Sequence, residues 1–290
     1  MAQKKKIWEA VIHGMFLILG LITVGCVLLI TVYLVISGIP AIRKIGLGAF
    51  LTGKVWESTA AQPHYGILPF ILTSVYGTAG AIVLGVPIGF LTAVYLSKVA
   101  PKGVKRALNS AVSLLAGIPS VVYGLVGMLV LVPAIRKTFH LPDGASLLAA
   151  ILVLAVMILP SIIKVSVTAL DAVPKEYEDA SLALGATPIE TYFRVSVPAA
   201  KSGIAAAVVL GVGRAIGEAM AVMMVSGNAC NMPSLFESVR FLTTAVASEM
   251  SYAGGLQRQA LFSIALVLYL FILLINATLN FFLKKGGSKQ

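Results

Sequence analysis

The chain is poor in charged residues. Only 11% of its 290 residues are Asp, Glu, Lys or Arg, and only 11 of them are acidic. Hydrophobic residues make up 59% of the sequence, and the mean hydropathy is +0.98. A soluble domain needs a largely polar surface, so this composition excludes one and indicates a membrane protein.

Cysteine and histidine are also scarce. The two cysteines, Cys26 and Cys230, lie far apart in different environments, and the three histidines are scattered. This excludes a disulfide framework and offers no metal-ligand spacing. The glycine-rich G-x-x-x-x-G-K-[ST] motif that holds nucleotide phosphates is missing as well. We therefore expect no catalytic residue, no metal and no bound cofactor in this chain.

Long apolar runs are what the sequence does contain. Six of them approach or exceed the length of about 20 residues that a helix needs to cross a bilayer. Backbone groups in hydrocarbon must bond within their own segment, so these runs predict helices rather than strands. The predicted fold class is an all-α, polytopic membrane protein with one domain over residues 1–290. The predicted spans are residues 11–36, 68–96, 109–133, 145–169, 203–226 and 260–283.

The net charge of +11 is distributed unevenly along these spans. If the N-terminus is cytoplasmic, thirteen Lys and Arg fall inside and seven outside, while Lys164 and Arg214 lie within helices. This asymmetry follows the positive-inside rule and places both termini in the cytoplasm. The basic charge is thus a topology signal and does not indicate nucleic-acid binding. The inside set is Lys4, Lys5, Lys6, Lys98, Lys102, Lys105, Arg106, Lys175, Arg194, Lys201, Lys284, Lys285 and Lys289.

The polar segment 171–198 interrupts the apolar runs and holds five of the acidic residues. Its local signals predict a helix–turn–helix on the cytoplasmic side. Gly185 ends the first helix because glycine adopts the left-handed conformation easily. Thr187, Pro188 and Glu190 then predict a capping box at the start of a second helix. Such short helices are unstable alone in water, so we expect this hairpin to pack on another protein.

Residues of this hairpin resemble the "EAA" loop of binding-protein-dependent ABC importer permeases. That pattern is E-A-A, three residues, G, nine residues, an aliphatic residue, one residue and L-P. Its spacing is kept throughout, with Asp, Ser and Val as mild replacements at three positions. The resemblance implies a MetI-like permease fold whose coupling helix docks on a separate ATPase subunit. The matching residues are Asp179, Ala180, Ser181, Gly185, Val195, Val197 and Pro198, with Pro198 predicted to end the second helix.

A charged pair lies deep inside the fifth predicted span. A central arginine costs about 2.5–3.5 kcal/mol to insert, so Arg214 should face protein or water. Glu218 follows four residues later, on the same helix face. The pair either fixes the bundle internally, or Arg214 offers a forked donor to an anion while Glu218 orients it. Nearby Gly213 and Gly217 form a small-xxx-small pair typical of close helix packing.

A second motif, GIPSVVYG at 117–124, combines Gly117, Pro119 and Ser120 and predicts a broken or bent helix. The break is either a packing kink or a bend that exposes Ser120 to a transport pathway. Together with GRAIGEAMAV at 213–222 and Gly227-Asn228, it resembles the PstC-type permease subunits of phosphate importers. GILPFI at 66–71 and SLF at 234–236 fit the same subunit type.

This resemblance implies partners and a pathway. The partners are a PstA-like permease, two copies of a PstB-like ATPase carrying ATP and Mg²⁺, an extracytoplasmic phosphate-binding protein and membrane lipid. The implied location is the cytoplasmic (inner) membrane, and the chain itself is not an enzyme. The candidate pathway residues for inorganic phosphate are Arg214, Glu218, Ser120 and Asn228. The residues themselves leave sulfate and molybdate open as cargo, and a secondary anion transporter is a further alternative.

Overall fold

The computed structural model describes residues 2–287, so Lys289, counted above among the cytoplasmic cations, lies outside the described residues. Helices dominate it, with one two-stranded antiparallel hairpin and three π-helical segments at Tyr95–Val99, Gly127–Leu131 and Tyr192–Ser196. The elements are α1 Ala2–Ile45, α2 Leu47–Thr52, β1 Trp56–Glu57, β2 His64–Tyr65, α3 Leu68–Val94, α4 Lys102–Gly117, α5 Ser120–Val126, α6 Val132–Thr138, α7 Leu147–Asp171, α8 Lys175–Ala183, α9 Pro188–Thr191, α10 Val197–Ala199, α11 Lys201–Gly217, α12 Met220–Val225, α13 Leu242–Glu249 and α14 Gly255–Gly287.

Five helical stretches are long and apolar enough to cross a membrane, at Val11–Ile45, Leu68–Val99, Ser120–Thr138, Leu147–Asp171 and Gly255–Thr278. A sixth results if Pro188–Ala199 and Lys201–Gly217, which meet at an angle of 73°, form one span. The chain is thus an all-α membrane protein of five to six spans. The first span exposes large apolar side chains from Val11 to Ile36, as expected of a helix that faces lipid, whereas Ala41 near its end is buried.

The third span differs from its predicted bounds of 109–133. Helix α4 ends at Gly117, and Ile118 (φ −70°, ψ 127°) and Pro119 (φ −58°, ψ 141°) are extended. Proline has no N–H to donate and disfavours the helical conformation in the residue before it, so the helix breaks here. The membrane-crossing stretch therefore begins at Ser120, and α4 is a separate amphipathic helix. The predicted break at 117–120 is confirmed.

The fifth span also differs from the prediction of one continuous helix over 203–226. Helix α11 ends at Gly217, because Glu218 is extended (φ −73°, ψ 127°). The chain resumes as the short helix α12 at Met220. The span thus consists of two helices separated by a two-residue break, and this break carries one of the predicted pathway residues.

Helix α7 forms the centre of the bundle and packs against both α3 and α11. Its Ile158 and Ile162 are fully buried. Gly85 and Gly89 of α3 lie directly against these two isoleucines, and a methyl group on either glycine would clash with them. Because Gly85 and Gly89 have no side chains, the backbone of α3 approaches α7 closely at these positions. Membrane helices commonly gain packing energy in this way.

A second buried cluster lies at the outer end of the molecule. Helices α1 and α14 pack together there, and the β1–β2 hairpin and α13 cover them. Trp56 of β1 stacks edge-on against Tyr65 of β2 and lies near Phe70 of α3. The outer loops are thus folded into one packed layer.

Candidate functional site

The cytoplasmic hairpin has the two helices and the turn that its sequence predicts. Helix α8 ends at Ala183, and Gly185 adopts a φ of +86°. The Gly185 N–H donates to the Leu182 carbonyl at 2.9 Å, and the Ala186 N–H donates to the Ser181 carbonyl at 3.3 Å. These two bonds form a Schellman motif, which satisfies carbonyls that the helix end leaves free. The prediction that Gly185 ends the helix is confirmed.

The capping box at the start of α9 is also confirmed. The Thr187 side chain accepts from the Glu190 N–H at 3.4 Å, and the Thr187 N–H donates to Glu190 Oε2 at 3.0 Å. This backbone hydrogen bond, followed by the one from the Thr187 hydroxyl, lowers the pKa of the Glu190 carboxyl. Pro188 occupies the first helical turn as predicted. A further hydrogen bond of 2.9 Å, between the Ser181 and Thr191 hydroxyls, joins α8 to α9.

Pro198 lies one residue before the end of the second piece of the hairpin, the helical stretch Pro188–Ala199, as predicted. It lies inside the single turn α10, and the chain bends at Ala200 (φ −87°, ψ 2°) before α11 begins.

The outer face of the hairpin is exposed and partly apolar. Leu184 and Ile189 flank the Gly185 turn and are 90% and 68% exposed. Asp179 and Ala180 are exposed on α8, whereas Ser181 is partly buried against α9. Because this end carries charge beside large apolar side chains, it has the composition of a contact surface.

Arg214 lies near the end of α11 and is partly buried. Its guanidinium donates one hydrogen bond of 3.3 Å to the hydroxyl of Ser161 on α7. Arg214 also interacts electrostatically with Tyr123 of α5. The Tyr123 hydroxyl itself donates to the Leu115 carbonyl. Within residues 2–287, no carboxylate forms an ion pair with Arg214.

The predicted Arg214–Glu218 pair is therefore wrong. The helix ends before Glu218, so the four-residue spacing no longer places both side chains on one face. Glu218 Oε1 instead accepts the Ala221 N–H at 2.9 Å, in the first turn of α12. Its carbonyl accepts from the Thr243 hydroxyl of α13 at 2.8 Å. Glu218 thus holds the break between α11 and α12 and leaves Arg214 uncompensated.

The other two predicted pathway residues occupy different places. Ser120 is the first residue of α5, directly after the Pro119 break, and is partly buried. Asn228 has a left-handed φ of +61° in the outer loop, and its carbonyl accepts from Arg240 at 2.9 Å. No hydrogen bond joins Arg214 to either of them in the described part of the chain. Hydrogen bonds therefore do not link the four predicted residues to one another within residues 2–287.

Gly213 and Gly217 have no close neighbours among the described residues. Close helix packing at this pair is therefore not formed by the described residues of this chain, and Gly211 lies against Ile162 of α7 instead. The two glycines face away from the bundle and flank Arg214. Open space at these two glycines thus flanks Arg214.

Two ionic clusters contain pairings that the sequence analysis did not predict. At the outer end, Arg240 pairs with Glu249 at 2.5 Å, and their side chains are 15% and 9% exposed. Glu249 also accepts from the Trp56 indole and from the Gln257 amide. At the cytoplasmic end, Lys98 pairs with Glu178. The sequence contained each charge but gave no signal for the pairing.

Comparison with known proteins agrees with this architecture. The family model described as "Binding-protein-dependent transport system inner membrane component" matches residues 85–285. The chain belongs to this family. A member of the inner membrane component family is a permease subunit within a transport system and is not an enzyme by itself.

Curated relatives of this inner membrane component cover most of both chains. The "Probable ABC transporter permease protein YqgH" of Bacillus subtilis (strain 168) is 41% identical over 89% of this chain and 86% of its own length. The "Phosphate transport system permease protein PstC" of Haemophilus influenzae is 36% identical over 83% of this chain and 82% of its own length. The permease of Mesorhizobium japonicum with the same name is 34% identical over 82% and 78%.

Solved structures support the fold of the inner membrane component. A chain of the inward-facing MetNI methionine ABC transporter aligns with a TM-score of 0.62 and 20% identity, over 76% of this chain and 95% of that chain. A chain of a bacterial ABC transporter involved in alginate import aligns with a TM-score of 0.66 and 15% identity, over 97% and 99%. The fold is therefore that of a MetI-like ABC importer permease.

Proposed function

We propose that this chain is a permease subunit of an ATP-driven importer and that it carries inorganic phosphate across the inner membrane. Several relatives with more than 30% identity over most of the chain are named as phosphate transport permeases, which supports this cargo. The observation that carries the proposal is the unpaired charge of Arg214. A cation inside an apolar span that has only a neutral partner favours the entry of an anion.

The surroundings of Arg214 fit a pathway. The guanidinium is only partly buried, and Gly213 and Gly217 leave space beside it. Its fork of donors suits the oxygen atoms of a phosphate better than a lysine would. In this proposal Arg214 attracts and orients the anion, and Ser161 holds the guanidinium in place. Ser120 and Asn228 are the weaker candidate contacts, and Glu218 maintains the helix break.

We propose that the 171–198 hairpin couples the permease to a separate ATPase subunit. Leu184 and Ile189 would insert into a cleft of that subunit, with the exposed Asp179 beside them. Gly185, the Thr187–Glu190 capping box and the Ser181–Thr191 bond give the hairpin a fixed shape before docking. A preformed contact surface binds with less loss of conformational entropy than a flexible one.

The partners in this proposal are a PstA-like permease, two PstB-like ATPase subunits and an extracytoplasmic phosphate-binding protein. The binding protein would deliver phosphate to the packed outer loops. ATP and Mg²⁺ would bind on the ATPase subunits, and their closure would move the permeases through the hairpins. This chain itself would contribute the pathway and the coupling surface.

Reconstitution tests the cargo and the energy source together. The chain is placed in proteoliposomes with both partner subunits and the phosphate-binding protein, and entry of radiolabelled phosphate is measured. We expect that uptake requires ATP. Excess unlabelled phosphate should suppress it, whereas excess sulfate or molybdate should not. Uptake of sulfate or molybdate in preference to phosphate would contradict the cargo. Uptake driven by an ion gradient without ATP would support a secondary transporter instead.

The coupling role is tested at the Gly185 turn. A valine at a φ of +86° is strongly disfavoured, so Gly185→Val should distort the hairpin. We expect reduced binding of the ATPase subunit and reduced uptake at unchanged membrane insertion. Gly103→Val is the matched control, since Gly103 is helical, cytoplasmic and free of close neighbours. Normal ATPase binding and uptake with Gly185→Val would refute the coupling assignment.

A further inference from the structure

Two of the π-helical segments meet at one carboxylate oxygen on the cytoplasmic side. Lys98, in the segment that continues α3, places its Nζ 2.5 Å from Glu178 Oε1. Ser196, the last residue of the segment that follows α9, donates its hydroxyl to the same oxygen at 2.8 Å. Glu178 itself lies on α8 of the hairpin. A single side chain therefore joins three cytoplasmic elements.

The Lys98–Glu178 ion pair is less exposed to solvent than the nearby Lys105–Asp171 pair. The Lys98 and Glu178 side chains are 10% and 18% exposed, and Ser196 is fully buried. The nearby Lys105–Asp171 pair is longer, at 3.2 Å, and its side chains are 34% and 42% exposed. Solvent screens exposed pairs so that they contribute little, whereas removing one partner of a buried pair leaves an uncompensated charge.

The joined elements lead to the membrane helices that matter for transport. The Lys98 segment is continuous with α3, which packs closely on the central helix α7. The Ser196 segment leads through α10 and the 73° bend into α11, the helix that carries Arg214. π-Helical turns often occur at functional sites. Here one of them lies within the hairpin that the proposed function assigns to the ATPase contact, and Lys98 of the other pairs with Glu178 of the same hairpin.

We propose that Glu178 is a positioning residue that transmits movement of the hairpin to α3 and α11 together. This inference rests on the proposed function, because it requires the ATPase to act on the hairpin. Glu178 points inward to Lys98 and Ser196, while Asp179 and Leu184 are exposed outward. The outer face of α8 receives the force, and its inner face passes it to two helices at once. Without this joint α8 would move while α3 and the segment that leads into α11 lag behind it.

The test measures phosphate imported per ATP hydrolysed, in the fully assembled transporter in proteoliposomes. Glu178→Gln and Lys98→Gln should each lower this ratio about tenfold, within the range typical of coupling between sites, at unchanged ATPase association. Ser196→Ala should lower it less, because it removes one arm without leaving a charge unpaired. Lys98→Arg should retain most of the ratio. Lys105→Gln is the matched control and should leave the ratio within about twofold.

A charge swap separates transmission from simple loss of structure. Lys98→Glu combined with Glu178→Lys restores an ion pair at the same place, so it should recover much of the ratio. Unchanged ratios in the single variants, with normal wild-type import, would overturn this inference and leave the proposed function intact. Loss of ATPase association in Glu178→Gln would also overturn it, since Glu178 would then be a docking residue. Failure of the wild-type transporter to import phosphate with ATP would refute the proposed function itself.

Discussion

Arg214 and Arg240 lie in two regions of the molecule that differ in how their positive charge is compensated. Arg240, at the outer end, pairs with Glu249, donates to the Asn228 carbonyl and lies 5.9 Å from the centre of the Phe70 ring. Arg214, inside a membrane-crossing helix, has the Ser161 hydroxyl as its hydrogen-bond partner and no paired carboxylate in the described residues. The more apolar region thus holds the less compensated charge.

The difference separates structural from transport roles. A buried charge that serves the fold needs a partner, because an unpaired one is costly. Arg240 meets that requirement, and together with Glu249 it joins β1, the outer loop and α13. Arg214 does not meet it, so its cost must be offset by something absent from the isolated chain. A transient anion is the partner that its charge and open surroundings favour.

The largest expected effect is on transport by the Arg214→Gln variant. Glutamine keeps a donor to Ser161 but removes the charge, so we expect uptake of phosphate to fall to background. The thermal stability of the purified protein should not fall, because no carboxylate loses a partner. Uptake and the unfolding midpoint are measured on the same preparation. Arg214→Lys, which keeps the charge but not the fork, should retain partial uptake.

The next largest effect is on the stability of the outer cluster. Arg240→Gln or Glu249→Gln leaves one buried charge unpaired and should destabilise the protein by about 3–5 kcal/mol. Thermal unfolding in detergent measures this loss. The double variant Arg240→Met/Glu249→Met removes both charges and should recover much of it. If both single variants unfold like the wild type, the cluster is not the structural counterpart of Arg214.

A smaller effect is expected from Ser161→Ala. This change removes the hydrogen bond that positions the Arg214 guanidinium, and such a bond to a charged group contributes about 1.5 kcal/mol at the lower end of its range. Uptake should therefore fall about tenfold, a smaller loss than in Arg214→Gln. Ser161→Thr keeps the hydroxyl and is the control. Full activity of Ser161→Ala would show that Arg214 needs no positioning.

The smallest effect concerns Cys230, which lies beside the outer cluster. Burial raises the pKa of the Cys230 thiol, the Glu249 carboxylate raises it further, and Arg240 opposes them. The thiolate is the reactive form, so labelling by a polar maleimide should be slow at neutral pH and should accelerate as the pH rises. Glu249→Gln should lower the pKa and speed the labelling severalfold in a Cys26→Ser background. Equal rates in both proteins would contradict this account of the cluster.

Short-range chemistry explains what the sequence could predict. Gly185, Thr187 and Glu190 act within a few residues of each other, and the helix end and capping box formed where expected. Pro119 acts on its immediate neighbour, so the break before α5 was also predictable. The spans depend on local hydropathy, and their number and helical nature follow from the same property.

Long-range packing decided the features that could not be predicted. The spacing of Arg214 and Glu218 assumes an unbroken helix, but Glu218 is extended, and its carbonyl accepts from the Thr243 hydroxyl of a separate helix. Lys98 and Glu178 lie 80 positions apart in the sequence, and only the fold brings them together. Local patterns identify charges, but they do not identify the partners of those charges.

The most direct test of the central claim compares Arg214→Gln with Arg240→Gln in one experiment. Phosphate uptake per folded transporter and the unfolding midpoint are measured for both variants and the wild type. We expect Arg214→Gln to lose uptake at an unreduced midpoint. We expect Arg240→Gln to lower the midpoint, while the molecules that remain folded retain most of their uptake. Arg214→Gln that unfolds early and still transports phosphate when folded would contradict the account.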